Sequence, residues 1–118
     1  MKLCAAFMPP VDYDARTPQA MRDAFRPVVP DIDAFLRAES PVTHVASVHV
    51  PVFLAAADDD TLVRADEVDG LRRALVDAGT QVEFLRLPQG GHHGAMINTA
   101  LPAAVVWAGR AFHLRHRR

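Results

Sequence analysis

The chain has 118 residues, a formal net charge of −1, and apolar side chains at half of its positions. This length predicts one domain with a hydrophobic core, and the balanced charge argues against a nucleic-acid-binding or disordered protein. No apolar run approaches the roughly 20 residues of a membrane span, and the single cysteine, Cys4, fits a reducing compartment. We therefore expect a cytoplasmic protein without nucleic-acid or membrane partners.

The first half of the chain predicts one strand followed by helices. Residues 2–8 form a short apolar run that ends at two prolines, which is typical of a buried strand. A helix is predicted after Thr17 as its N-cap, with Pro18 at the first helical position, and Asp31 is predicted to cap another. A proline-marked connection with one short helical turn then spans residues 40–50.

The second half predicts two strands and two helices. Residues 51–57 contain no polar side chain, as expected for a strand covered on both faces. Residues 64–79 carry apolar side chains at helical spacing and end at Gly79, and residues 81–87 alternate like a half-covered strand nearer an edge. Residues 98–118 predict a long terminal helix. The β-α-β order predicts parallel strands, so the fold class is α/β, a parallel β-sheet with flanking helices.

Two polar clusters follow the two predicted strands of this unit. Asp58, Asp59 and Asp60 follow the first, and the sequence GGHHG at residues 90–94 follows the second. Parallel sheets carry their chemistry at the carboxyl ends of the strands, and neighbouring strands lie about 4.8 Å apart. A glycine-flanked histidine pair is also compatible with a plain surface turn. An adjacent carboxylate, however, would fix the tautomer of a histidine base and stabilise its protonated form.

These segments resemble the C-terminal half of the α/β-hydrolase fold. The similarity is to prolyl-oligopeptidase-like and dienelactone-hydrolase-like serine hydrolases, and it rests on "PVFLAAADDDTLV", "ALVDAGTQVEF" and "LPQGGHHG". The family pattern Pro-Val-x-x-x-x-Gly-x-x-Asp-x-x-Val falls on Asp60 and Val63, and Pro-x-x-Gly-His falls on Pro88, Gly91 and His92. The resemblance implies that Asp60 is the triad acid and His92 the base, with no cofactor or metal. It implies a peptide, ester or lactone as substrate.

The sequence departs from the family at two places. Ala56 and Ala57 stand where His-Gly is usual, which is a mild change. The larger departure is that no serine lies in a Gly-x-Ser-x-Gly elbow, since Ser40 and Ser47 lack flanking glycines and Cys4 lies in an apolar run.

Residues 1–118 are therefore expected to form a single partial α/β-hydrolase domain that lacks its N-terminal half, and that missing half would carry the nucleophile and the oxyanion donors. The isolated chain is expected to be inactive. An exposed sheet edge at residues 2–8 would pair with the complementary half or with a second copy of the chain.

Three alternatives stand beside this interpretation. The chain could be a non-catalytic remnant or an interaction module that keeps the fold without the activity. A receiver domain of two-component signalling needs a lysine at a late strand end, whereas the only lysine is Lys2. A metal site is chemically possible, but the sequence lacks the central glycine of a calcium loop and any His-x-x-x-His pair. Its ligands would be Asp58, Asp60, His92 and His93.

The remaining acidic residues near the strand ends are interpreted as structural. Asp58 and Asp59 are expected to be solvated or to cap turns rather than to act in catalysis. Asp12 and Asp14, which follow the first predicted strand, are expected to have turn roles, although a place in the cleft is also open to them.

Overall fold

The computed structural model describes residues 11–116, with side chains to residue 113. The strand predicted at residues 2–8 lies outside the described residues. The described elements are, in chain order, α1 (Tyr13–Arg16), α2 (Gln19–Phe25), α3 (Ile32–Glu39), a 3₁₀ helix (Pro41–Ser47), β1 (Val52–Ala57), α4 (Ala65–Asp77), β2 (Val82–Leu87), α5 (Gly91–Ala95), a π-helical turn (Met96–Ala100) and α6 (Leu101–His116).

Side-chain caps mark the start of two of the three N-terminal helices, α1 and α3. Asp12 caps α1 by accepting the N–H of Ala15 at 3.0 Å, and Asp31 caps α3 by accepting the N–H of Ala34 at 3.1 Å, as predicted for Asp31. The prediction for Thr17 is wrong. Pro18 occupies the cap position of α2, and Thr17 ends α1 because its hydroxyl donates to the carbonyl of Tyr13 at 2.7 Å.

The two strands are parallel neighbours, as the β-α-β order predicts. Val52 lies opposite Val82 and Ala57 opposite Leu87, with α4 connecting the strands. The pairing continues past β1, where the N–H of Asp58 donates to the carbonyl of Leu87 at 2.8 Å. The carboxyl ends of both strands therefore lie side by side, and the polar clusters that follow them meet there.

The α/β core lies where α4 packs on the two strands. It is formed by Ala56, Val63, Ala65 and Val68, with Leu54 and Phe84 packed against them. Strand β1 is less covered than predicted: its first four residues are half-buried, and only Ala56 and Ala57 are buried. The reason is that β2 is the one strand beside β1 within the described residues.

The C-terminal helical segment begins at Gly91 rather than at residue 98, so the histidine pair lies in a helical turn instead of a loop. Its regular hydrogen-bond ladder is interrupted by the π-helical turn, which ends two residues before Pro102, a residue that has no N–H to donate. Further along α6, Trp107 packs on Phe53 of β1 with ring centroids 5.7 Å apart. Within residues 11–116, no helix is both long enough and apolar enough to cross a membrane.

Candidate active site

The carboxylate of Asp60 is buried in the turn that follows β1. Only 4% of its side chain is exposed. The turn forms because the N–H of Asp60 donates to the carbonyl of Ala57 at 3.1 Å, and Oδ1 of Asp60 accepts the N–H groups of Leu62 at 2.8 Å and Val63 at 3.0 Å. These bonds hold the carboxylate in one orientation and leave Oδ2 for a further donor.

That donor is His92. Its Nδ1 lies 2.8 Å from Oδ2 of Asp60, across the carboxyl ends of the two strands. The contact between these two side chains is thus present at the distance expected for such a pair.

The hydrogen bond also determines which ring nitrogen of His92 can act as a base. Because a carboxylate only accepts, Nδ1 carries the proton, and Nε2 of the neutral ring has an available lone pair. Among the described residues Nε2 has no hydrogen-bond partner, and 31% of the side chain is exposed. Nε2 is therefore the ring nitrogen that is available to accept a proton.

The carboxylate of Asp60 is kept ionised by its hydrogen bonds. Burial alone raises the pKa of Asp60, but the N–H of Val63, the ring of His92 and the N–H of Leu62 outweigh it. The net pKa lies below the ordinary value of 3.8. An acceptor that is charged at neutral pH can both orient the imidazole and stabilise it when it takes a proton.

The other two aspartates of the run turn away from the ring of His92. Asp58 pairs with Arg86 at 2.6 Å on the surface, whereas Asp59 accepts the N–H groups of Gly90 at 3.1 Å and Gly91 at 2.8 Å. The two N–H groups hold the pKa of Asp59 below its ordinary value. Asp59 thus caps the glycine turn that leads into the histidine pair. This is a turn role, as predicted, but the turn follows the neighbouring strand β2.

His93 contacts the ring of His92, the candidate base. Its ring meets that of His92 edge to face, with centroids 4.8 Å apart and planes at 87°. In residues 11–113, no group of three or more His, Cys, Asp or Glu side chains is placed to hold a metal ion. Two of the four ligands that a metal site would need, Asp58 and Asp60, are engaged by Arg86 and His92.

Both serines make hydrogen bonds away from His92. Ser40 is completely buried, and its hydroxyl donates to the carbonyl of Leu36 at 2.7 Å while accepting the N–H of Tyr13 at 2.9 Å. The hydroxyl of Ser47 donates to the carbonyl of His44 at 2.8 Å. Each hydroxyl stabilises a local helix end and so has a structural role.

A small cavity of about 80 Å³ adjoins Asp60 at the strand ends, and the side chains around it are mostly charged. It is lined by Asp58, Asp60, Arg64, Ala65, Asp66 and Arg86. A larger open groove of about 370 Å³ lies between β2 and α6, away from the Asp60–His92 pair, and is mostly apolar. Although the groove is larger, we assign the candidate site to the strand ends. The buried carboxylate of Asp60 and its histidine lie there, where parallel sheets carry their chemistry.

Comparison with protein families matches residues 19–103 to the dienelactone hydrolase family, which is more than half of the chain. The chain belongs to the dienelactone hydrolase family. This assignment supports the resemblance to dienelactone-hydrolase-like enzymes and the α/β class. The chain is therefore a domain of a hydrolase family. No curated protein and no solved structure gives a match. The matched range contains both Asp60 and His92.

Sequence reasoning predicted a turn role for Asp59 but missed which turn it caps, and it missed the role of Arg86. The signal for Asp59 was present. Consecutive glycines before a helix offer N–H groups that need acceptors, and three carboxylates follow the neighbouring strand β1. The Arg86–Asp58 pair had no comparable signal, since it depends on the register that sets Ala56 opposite Arg86.

Proposed function

We propose that this chain supplies the acid and the base of a serine-type hydrolase, as the C-terminal part of an α/β-hydrolase domain. The observation that carries the proposal is the 2.8 Å contact between the buried Asp60 carboxylate and Nδ1 of His92. Membership of the dienelactone hydrolase family supports a hydrolytic reaction. The substrate class is a peptide, an ester or a lactone.

In this mechanism His92 moves a proton and Asp60 does not. Nε2 of His92 accepts the proton of a serine hydroxyl as that oxygen attacks the carbonyl carbon of the substrate, and then donates the proton to the leaving group. Asp60 stays ionised, keeps the proton of the neutral ring on Nδ1, and stabilises the imidazolium formed between the two steps. Proton transfer of this kind contributes roughly 10²–10⁴-fold to the rate.

The nucleophile and the oxyanion donors are assigned to residues outside these 118, in cis or on a second chain. The support for this assignment is that neither serine lies in a Gly-x-Ser-x-Gly elbow and that both serine hydroxyls are engaged in helix ends. Removing one oxyanion donor costs about 10²–10³ in turnover, so a chain without the donors and the serine should have no measurable esterase activity.

A fluorophosphonate probe tests the proposal. The chain is treated alone and together with an N-terminal α/β-hydrolase half that carries a Gly-x-Ser-x-Gly sequence, supplied as a fusion or as a second chain. We expect no labelling of the chain alone, and labelling of the serine of that half in the combined protein. His92→Ala should abolish labelling and ester turnover, whereas the matched variant His93→Ala should retain most of both.

Three results would contradict the proposal. Labelling of Ser40 or Ser47 in the isolated chain would show that the nucleophile is internal. Undiminished labelling after His92→Ala would show that His92 is not the base. A combined protein that folds but takes no label would favour the alternative of a non-catalytic interaction module.

A further inference from the structure

We propose that Asp59 is a positioning residue for His92, acting through the backbone of the two glycines that precede the histidine. The inference rests on the proposed function of the Asp60–His92 pair. It assigns separate tasks to two consecutive carboxylates: Asp59 fixes the backbone that carries His92, and Asp60 fixes the ring.

The contact is a two-point attachment between the loops that follow β1 and β2. Oδ2 of Asp59 accepts the N–H of Gly90 at 3.1 Å, and Oδ1 accepts the N–H of Gly91 at 2.8 Å. Both donors lie at the start of the helical segment, where N–H groups have no partner within the helix. Because Gly91 directly precedes His92, the attachment lies one peptide unit from the Cα of the candidate base.

The segment needs such an attachment because two adjacent glycines allow its backbone many conformations. Gly90 and Gly91 have φ values of +130° and +59°, which glycine reaches readily and other residues rarely adopt. Glycine also loses more conformational freedom on folding than any other residue. Two adjacent glycines before His92 would therefore leave the position of its ring poorly defined, unless an external acceptor selected one conformation.

Asp59 is suited to this task because both of its oxygens accept at once. The N–H groups of Gly91 and Gly90 lower its pKa, so the carboxylate is ionised throughout the neutral range. A displacement of about 1 Å in a catalytic group can cost on the order of 10²-fold in rate. Loss of the attachment is thus expected to reduce turnover while leaving the identity of the base unchanged.

The run of three aspartates provides its own control. Asp58 is exposed like Asp59 and adjoins it in sequence, but its carboxylate binds Arg86 and has no hydrogen bond to the glycine turn. Asp58→Ala therefore removes the same charge and nearly the same surface as Asp59→Ala, without touching the segment before His92.

The first experiment reads the tautomer of His92 by imidazole ¹H–¹⁵N NMR in the 118-residue chain, at a pH where the ring is neutral. The wild type should show the Nδ1–H tautomer, because Nδ1 donates to Asp60. In Asp59→Ala the ring should move toward the Nε2–H tautomer that free histidine favours in water. Asp59→Asn, which keeps one acceptor oxygen, should be intermediate, and Asp58→Ala should match the wild type.

The second readout is the turnover of the completed enzyme on an activated ester. Asp59→Ala should lower kcat by about tenfold to 10²-fold with KM nearly unchanged, because substrate contacts are not altered. Should Asp59→Ala fail to fold, Asp59→Asn decides the question with both readouts.

Asp60→Asn separates failure of this inference from failure of the proposed function. An asparagine amide donates toward Nδ1, so this variant should invert the tautomer. If Asp60→Asn leaves the tautomer unchanged, the Asp60–His92 pair is absent in solution and both proposals fail. If Asp60→Asn inverts it while Asp59→Ala and Asp59→Asn behave like Asp58→Ala, only the positioning role of Asp59 is overturned.

Discussion

Replacing Asp60 with alanine should be the most destabilising single change at the strand ends. The substitution removes the acceptor of three hydrogen bonds, from the N–H groups of Leu62 and Val63 and from Nδ1 of His92. Hydrogen bonds to a charged group contribute about 1.5–3 kcal/mol each, and relief of the desolvation of the carboxylate offsets part of their loss. We expect the free energy of unfolding to fall by about 3–5 kcal/mol.

Asp58→Ala is the matched control for this prediction. It removes the ion pair with Arg86, in which both side chains are more than two-fifths exposed, and exposed pairs contribute little to stability because solvent screens them. Asp60→Asn gives a second comparison. Its amide oxygen can still accept from Leu62 and Val63, so its cost should be about 1–2 kcal/mol, since both bonds change from charge-assisted to neutral and relief of the carboxylate's desolvation offsets part of the loss.

Urea unfolding followed by the fluorescence of Trp107, the single tryptophan, measures all three variants. Trp107 packs on Phe53 of β1, so its signal reports the contact between α6 and the sheet. With a slope of about 2 kcal/mol per molar urea, Asp60→Ala should lower the midpoint by roughly 2 M. The reasoning is refuted if Asp60→Ala and Asp58→Ala lower the midpoint equally.

The remaining predictions concern the glycine turn, acid stability and association. Gly90→Ala should lower the free energy of unfolding by about 2–5 kcal/mol, because a Cβ there would lie 2.8 Å from Cβ of Ala95 and the backbone φ is +130°. Gly94→Ala is the control, since a Cβ there meets nothing within 4 Å, and thermal melting should show no loss of stability for it. Because the pKa of Asp60 is lowered by folding, its ionisation stabilises the native state above pH 3.8, and this contribution is lost as the pH falls through the folded pKa. The stability difference between the wild type and Asp60→Asn, from urea titrations at several pH values, should therefore shrink below about pH 4; a constant difference would contradict the assigned pKa direction. The isolated chain should associate at high micromolar concentration in light scattering, through large apolar side chains exposed on the C-terminal helical segment, and a stable monomer would count against this. These side chains are Ile97, Leu101, Val105 and Val106.

Much of the α/β unit could be predicted from the sequence because each signal is local. The apolar run before Asp58 and the alternation before Pro88 define two strands, and the spacing of Val68 and Leu75 defines the helix between them. The order strand–helix–strand then requires parallel pairing, which brings the carboxyl ends together. For the same reason, the segments containing Asp60 and His92 could be predicted to meet before any coordinates were considered.

Other features depended on contacts between distant segments. The helix that carries His92 begins at Gly91 because Asp59 accepts its first N–H groups, and no property of residues 90–94 alone specifies that acceptor. Thr17 could not be excluded as an N-cap from sequence, since its hydroxyl serves equally well at the end of the preceding helix. Similarly, the half-burial of β1 depends on which strands lie beside it, whereas its composition reports only that it can be buried.

Residue order and spacing determined the α/β class and the meeting of the DDD and GGHHG segments at the strand ends, and the resemblance to known hydrolases pointed to Asp60 and His92 within them. Only the tertiary structure decided the task of each aspartate in the run Asp58–Asp60. The three share one chemistry and adjacent positions, but the turn after β1 points each carboxylate at a different neighbour. One binds the exposed Arg86, one the glycine N–H groups and one the ring of His92. The role of each carboxylate depends on the donor that it contacts. The pairing of β1 with β2 decides which donors lie within hydrogen-bond distance.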